Sequence, residues 1–224
     1  MFRIFSIGVL NFFDNFHKKK IFNFLKSKNI NKFHTFFDVG GHRGETIEYF
    51  GKKFNIDNIY SFEPSPINFQ YLKENVEKYK KKLQIKSIVI ENIGIGKEKN
   101  FKNFNQSNES SSSSFKNVNS KSKYLKKKKL FFNLKNLYFK NSFKIELKTL
   151  DEYIYEKNIK NIDFLKIDTE GYEFEVLQGL KDNFNKVKFI LLEHHYDNMI
   201  DKGYKNIFVS GIDLNNSFIA MGEK

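Results

Sequence analysis

The 224 residues contain no cysteine and no tryptophan. Without cysteine there is no disulfide scaffold, no thiolate metal site and no cysteine nucleophile. Proline occurs twice, as Pro64 and Pro66. No run of about 18 apolar residues exists, so no membrane span is expected. Met1 to Leu10 is apolar but short, Asn11, Asp14 and Asn15 interrupt it, and no small-residue cleavage site follows. That is unlike a signal peptide, and a cytoplasmic protein is expected. Arginine is nearly missing: Arg3 and Arg43 are the only two among 39 cations, and Ala220 is the only alanine. The formal charge is nevertheless +13. Heavy use of Lys, Asn, Ile and Phe, all with AT-rich codons, explains much of the lysine count without an anionic partner. Arginine is the preferred residue for bidentate phosphate and base contacts, so its scarcity disfavours nucleic acid. Residues 115 to 148 hold eleven Lys and one Glu, 11 − 1 = +10, which leaves +3 for all the rest.

What is present is apolar and aromatic: 40% hydrophobic residues and 17% aromatics, with 27 phenylalanines. That excludes a disordered chain, and the length suits one α/β domain. Residues 1–32 read as a helical extension, with Phe and Ile at helical spacing over 2 to 28. Residues 33–224 read as the main domain. Thr35 to Val39 is a buried strand that ends in Gly40-Gly41. Glu45 to Phe50 is a short helix stopped by Gly51, and Asn58 to Phe62 is a second strand. Ser65-Pro66 supplies an N-cap and a first-turn proline to a helix with Phe69, Leu72, Val76, Tyr79 and Leu83 on one face. Ile85 to Ile90 is a third strand. Residues 97–144, rich in Ser, Asn and Lys, read as a long, partly ordered basic insertion. Beyond it come a strand at Phe143 to Leu147, a helix at Leu150 to Lys157, a strand at Ile162 to Asp168, a helix at Tyr172 to Leu180 and a strand at Lys188 to Glu193. Alternating apolar strands and helices predict a mostly parallel, Rossmann-like sheet with helices on both faces. Ligands bind beyond the carboxyl ends of such strands. Those ends hold Asp38 to Gly40, Glu63, Glu91-Asn92, Asp168 to Glu170 and Glu193 to His195.

The first strand ends in Asp38-Val39-Gly40-Gly41-His42-Arg43-Gly44, a D-x-G-x-x-x-G pattern. Glu63 lies 63 − 44 = 19 residues beyond Gly44, where a carboxylate accepts both hydroxyls of an adenosine ribose. A dinucleotide loop needs a second glycine where His42 stands, because pyrophosphate must approach there. S-adenosylmethionine carries no phosphate, and its amino and sulfonium groups suit Asp38. The spacing therefore favours S-adenosylmethionine over a dinucleotide, with Asp38, Gly40, Gly41, Gly44, Glu63 and Asn92 as cofactor-binding candidates.

Six segments together resemble the FkbM family of S-adenosylmethionine-dependent methyltransferases. They are FFDVGGHRGETIEYF, YSFEPSPINFQYLKENV, the Ser-rich NESSSSSF, KTLDEYI, IDFLKIDTEGYEFEVLQGL and FILLEHH. Order and spacing match over roughly residues 33 to 196, and LKIDTEGYEFEVLQGL is the most specific. The resemblance implies the class I methyltransferase fold and O-methylation of hydroxyls on sugars or metabolites. It also implies that Asp38, Gly40 and Gly44 border the methionine part of the cofactor and that Glu63 binds its ribose. Members usually close with a helix and an antiparallel hairpin. Here Asp197 to Lys202 allows a short helix, and Ile207 to Ser210 with Phe218 to Met221 a hairpin.

A neutral hydroxyl is a poor nucleophile, so a general base should help as its proton leaves. Candidates are Asp168 and His195, then Glu170 and Glu193, at the ends of the fourth and fifth strands of the main sheet. Lys166 and Asp168 share one strand face, as do Glu193 and His195. Glu170 could instead cap the helix that follows, and Asp168, Glu193 and His195 could hold a divalent cation, although no dense ligand spacing supports a metal. The expected acceptor is a small molecule or glycan, with the lysines of 115–148 suited to an anionic one. A 2′-O RNA methyltransferase, through Lys166 and Asp168, is the alternative. An NAD-dependent oxidoreductase and a non-catalytic basic binding module rank below it. Base-amine methylation lacks its Pro-Pro turn, and cytosine-C5 methylation its cysteine.

Overall fold

The computed structural model describes residues 19–107, 113–116, 139–194 and 218–223, with the backbone course alone at 139–140, 193–194 and 218–223. Six strands form one parallel sheet: β1 (Lys32–Val39), β2 (Asn55–Phe62), β3 (Ile85–Glu91), β7 (Ile162–Ile167), β8 (Val187–His194) and β9 (Phe218–Glu223). Their order is β3-β2-β1-β7-β8-β9. A three-stranded sheet of β4 (Gly94–Ile95), β6 (Phe139–Lys148) and β5 (Asn100–Ser107) lies in the chain between β3 and β7.

Side chains alternate across the sheet, so its registers sort the core into two halves. Ile59, Phe36, Phe164 and Phe189 sit side by side on β2, β1, β7 and β8. They pack with a helix over 19–27 (α1, through Leu25), with α2 (Glu45–Gly51) and with α3 (Pro66–Lys82). One residue along, Tyr60, Phe37, Leu165 and Ile190 face the opposite way. They pack against α4 (Leu150–Glu156) and α5 (Glu173–Gln178), through Leu150, Tyr153 and Val176. Each fully buried phenylalanine contributes roughly 1.5–3 kcal/mol of apolar burial, which explains how a chain this rich in lysine closes a core. Phe36 and Phe164 meet edge to face at 5.2 Å, the arrangement that ring quadrupoles favour.

Local signals acted as their chemistry dictates. Ser65 caps α3, its Oγ accepting from the Asn68 N–H at 3.1 Å, and Pro66 opens the helix. Gly51 is the last residue of α2 rather than the one beyond it, with Lys52 at the C-cap. A Cβ there would stand 2.8 Å from Leu83 Cδ1 and 2.9 Å from Ile85 Cδ1, so these two side chains would have to shift to admit one. The helix expected from Tyr172 begins at Glu173 and ends at Gln178.

The partial order expected within the segment 97–144 is β5 and the first part of β6, an antiparallel pair. The alternation was hidden because polar residues sit on both faces of β5. Lys102, Phe104 and Gln106 alternate with Phe101, Asn103 and Asn105, yet Gln106 is buried and Phe101 exposed. Phe218 to Met221, expected in a closing hairpin with Ile207 to Ser210, belongs to a strand that runs parallel to β8, and Ile207 to Ser210 lies outside the described residues. The 218 − 194 − 1 = 23 residues between the two strands are enough for the crossover a parallel pair requires. Asp197 to Lys202 and most of the basic run also lie outside the described residues, as do residues 1–18 of the N-terminal extension.

Candidate active site

The chain runs outward from β1 to β2 and β3, then returns to the other side of β1 as β7. The reversal lies between β1 and β7, and such switch points open a crevice beyond the carboxyl ends of the two strands. The turn after β1 carries Gly40 to Gly44, and the turn after β7 carries Asp168 to Gly171. Gly40 has φ +81°, and a Cβ on it would stand 1.8 Å from the Asp168 carbonyl oxygen. The Asp168 N–H in turn donates to the Val39 carbonyl at 3.0 Å. Gly44 has φ +94° and caps α2.

Every amide in the turn is used inside the protein. The N–H groups of Gly40 and Gly41 donate to the Phe62 carbonyl, at 2.9 and 3.0 Å, and that of Gly44 to the Gly41 carbonyl at 2.8 Å. The Arg43 N–H donates to Glu45 Oε2 at 3.1 Å, and the His42 N–H to Glu63 Oε2 at 2.7 Å. His42 has φ +47°. Burial opposes the charge of its ring, but the Nδ1 contact to Glu45 and the charges of Glu45 and Glu63 outweigh that and raise its pKa. The same contact draws Glu45 down to about 2 against the effect of burial.

Glu63 follows β2, and only 4% of it is exposed. Oε2 receives the His42 N–H and Oε1 the Ser65 N–H at 2.8 Å. A carboxylate oxygen has two lone pairs, so each retains one for a ligand hydroxyl. Burial pushes the Glu63 carboxyl up to about 7, even though the Ser65 and His42 N–H groups and the His42 and Lys166 charges favour its ionised form. The Asn92 amide donates to the carbonyls of Glu63 and Pro64, at 2.8 and 3.2 Å, and so ties the end of β3 to the turn beyond β2.

Asp38, expected to border a ligand, lies fully buried beneath the turn. Burial raises its pKa, against the Lys166 ammonium beside it. Lys166 Nζ stands 3.2 Å from Asp38 Oδ1, 3.3 Å from Asp168 Oδ2 and 2.9 Å from the Gly40 carbonyl oxygen. One ammonium thereby joins the end of β1, the glycine turn and the end of β7. Asp168 is the open member of the set, with 35% of its side chain exposed. The Ser61 hydroxyl donates to Asp38 Oδ2 at 3.3 Å.

Glu170, with φ +51°, is buried, and its carbonyl accepts from Ser114 Oγ at 2.8 Å. It does not cap α5. Tyr172 occupies the cap position without a side-chain bond, and Glu173 Oε1 instead takes the Thr169 N–H, the Thr169 hydroxyl and the Gly171 N–H at 2.9–3.0 Å. Glu193 belongs to β8 by its backbone, and His195 lies outside the described residues. The structure thus brings Asp38, Gly40, Gly41, Gly44, Glu63, Asp168 and Glu170 to one sheet edge. Sequence reasoning passed over Glu173, Ser61 and the pinning role of Lys166. A lysine inside the apolar strand Phe-Leu-Lys-Ile was the available signal, since a lysine is almost never buried without a partner. Among the described residues, no group of three or more His, Asp or Glu could hold a metal ion, and no helix is long and apolar enough to cross a membrane.

Switch point, glycine turn and buried acid define a Rossmann-like α/β protein with a ligand crevice at the carboxyl edge of a parallel sheet. The profile described as the Methyltransferase FkbM domain matches residues 38–209, about three quarters of the sequence, and the chain belongs to that family. Methyltransferase 1 of Beauveria bassiana (strain ARSEF 2860) is 25% identical over 147 residues, covering 65% of this chain and 57% of that protein. The chain therefore spans little more than half of that relative's length. The crystal structure of Methyltransferase FkbM from Methylobacillus flagellatus KT aligns with a TM-score of 0.43 and 17% identity, over 69% of this chain and 30% of that one.

Proposed function

We propose that the chain is an S-adenosylmethionine-dependent methyltransferase acting on a hydroxyl of a sugar or other small metabolite. The observation that carries this reading is the state of the glycine turn. All five of its amides are already bonded within the protein, so the turn itself offers no free N–H group to a pyrophosphate, as a dinucleotide loop would. The surrounding charges agree. Among the described residues, Asp38 and Asp168 flank Lys166 at this edge, and Glu63 and Glu170 lie buried in the neighbouring turns. The partly exposed carboxylate of Asp168 suits the cationic end of the proposed cofactor.

The residues fit the cofactor in a definite way. Glu63, with a lone pair on each oxygen, accepts the ribose hydroxyls. Gly40 and Gly41 keep Cβ atoms out of the turn. Asp38 and Lys166 support that turn from beneath. When bound, S-adenosylmethionine supplies a methyl group activated on a sulfonium, so the protein mainly has to align the acceptor. Asp168, partly open at the mouth and steadied by Lys166, accepts the proton of the acceptor hydroxyl. Glu193 and His195, at and just beyond the end of β8, are the other base candidates. The RNA alternative loses weight because Lys166 is 8% exposed and committed to Asp38 and Gly40.

Calorimetry tests the reading. S-adenosylhomocysteine should bind, and Glu63→Ala should weaken it by roughly 1–3 kcal/mol, the cost of leaving ligand hydroxyls unpaired. Binding of NADH without binding of S-adenosylhomocysteine would overturn it.

A further inference from the structure

β1 lies between β2 and β7 in the sheet, so the turns after β2 and β7 flank the glycine turn. A buried strut built from β5 and residues 113–116 joins these two flanking turns. At one end the Ser65 hydroxyl donates to Gln106 Oε1. In the middle Gln106 Nε2 donates to Ser113 Oγ at 2.9 Å, and the Ser107 N–H donates to the same oxygen at 3.0 Å. Ser114 exchanges backbone bonds with Asn105 and sends its hydroxyl to the Glu170 carbonyl at 2.8 Å. Ser65, Gln106, Ser107, Ser113 and Ser114 are all buried. Five buried polar residues are an unusual choice for a small sheet, and a buried polar network fixes one geometry when all its members are paired.

The Ser65 end matters most, because Ser65 touches Glu63 directly. Its N–H lies on Glu63 Oε1, its Oγ accepts from the Asn68 N–H, and its hydroxyl proton goes to Gln106 Oε1. We propose that Gln106 is a positioning residue for the cofactor site: by taking the Ser65 hydroxyl proton, it keeps that hydroxyl off the Glu63 carboxylate and leaves the Glu63 lone pairs open to a ligand. The inference rests on the reading of Glu63 as the ribose acceptor, but it makes a statement about the free protein as well. Without Gln106, a hydroxyl buried at Ser65 has no solvent to turn to. Two acceptors are candidates: the Glu63 carboxylate, which already holds the Ser65 N–H, and Asn68 Oδ1, buried without a hydrogen-bond partner among the described residues; of these we take the carboxylate. A third donor stabilises the ionised form and blocks a lone pair. The other groups that face Glu63 are the His42 N–H and ring and the Lys166 ammonium, and they are unchanged by substitution at position 106.

The test uses the full chain with carboxyl-labelled glutamate, followed by NMR across the pH range. In the free protein, Gln106→Leu should lower the Glu63 titration midpoint by about one pH unit, the effect of one added hydrogen bond. It should also raise the Kd for S-adenosylhomocysteine by about tenfold. Gln106→Asn keeps an amide but withdraws it by a methylene, and is read the same way if leucine impairs folding. In Ser65→Ala/Gln106→Leu there is no hydroxyl to bind Glu63, so the midpoint should return upward. A purely structural role for Gln106 would not produce that reversal. An unchanged or higher midpoint in both folded single variants overturns the inference. Failure of the wild-type chain to bind S-adenosylhomocysteine overturns the reading of the cofactor site instead, and leaves the titration result standing.

Discussion

Gly40 and Asp168 touch backbone to backbone across the switch point: a Cβ on Gly40 would stand 1.8 Å from the Asp168 carbonyl oxygen and 2.8 Å from its carbon. The neighbour is main chain, which cannot swing away as a side chain would. Gly40→Ala therefore has to part the ends of β1 and β7, and it adds the strain of a side chain at φ +81°. The expected outcome is a loss of stability of roughly 2–4 kcal/mol together with weakened S-adenosylhomocysteine binding, measured by urea unfolding and calorimetry. Gly41→Ala should cost less, since the obstacle there is the Ser61 hydroxyl at 2.2 Å, a side-chain atom. Equal stability of Gly40→Ala and the wild type would mean that the two turns are not in this contact.

Lys166 is the second link across the same gap. Its ammonium is the cation beside the fully buried Asp38. Lys166→Met keeps the length of the side chain and removes the charge. A buried carboxylate left without its cation typically costs about 3–5 kcal/mol. The penalty has a pH signature. Burial already raises the Asp38 pKa, and loss of Lys166 raises it further, so the folded variant binds a proton that the unfolded chain has released. Its stability then falls as pH rises, and the gap to the wild type is widest at neutral and alkaline pH. Asp38→Asn in the same chain should recover part of the loss. Unfolding curves at about pH 5 and about pH 8 decide it, and a gap that does not widen with pH rules out Asp38 as the cause.

The frame of this site was legible because its signals are local. Ser65-Pro66 can only be a helix start of one kind, and a buried Thr-Phe-Phe-Asp-Val strand before two glycines can only turn sharply. The position of Glu63 followed from counting residues along a βαβ unit. The interior of the site was less legible. The contact of Asp38 with Lys166 was not legible because strand pairing, which no local window records, sets the two in register. Gln106 and Ser113 looked like members of a Ser- and Asn-rich loop, since burying them requires partners 41 and 7 residues from Gln106. Composition reports the average polarity of such a stretch, and not which polar groups are satisfied.

Asp168 should separate chemistry from cofactor binding. Asp168→Asn is nearly isosteric and keeps an oxygen within reach of Lys166, so S-adenosylhomocysteine affinity should stay within about threefold. Turnover on the native acceptor should fall by about 10²–10⁴-fold, the usual contribution of a general base. Near-normal turnover in Asp168→Asn would move the role to Glu193 or His195, which the corresponding alanine variants would then reveal.

The pH dependence of ligand binding follows from Glu63. Burial raises its pKa from an ordinary value of 4.5 to about 7. Between those values the folded chain holds a proton that the unfolded chain has lost, so the contribution of Glu63 to stability declines as pH rises through this window and is level above it. Ligand binding has the opposite slope. On the proposed reading two ribose hydroxyls donate to the ionised carboxylate, so at a pH below about 7 its proton must leave first. The Kd for S-adenosylhomocysteine should therefore fall by up to about tenfold for each pH unit gained below the midpoint, then flatten above it, and binding near the midpoint should release a fraction of a proton. Calorimetry at about pH 6, 7 and 8 in buffers of different ionisation enthalpy measures both quantities. Glu63→Gln has no proton to lose, so it should bind more weakly at about pH 8 and show little pH dependence. A wild-type Kd that is flat from about pH 6 to 8, with no proton released, would remove Glu63 from the ligand's first contacts.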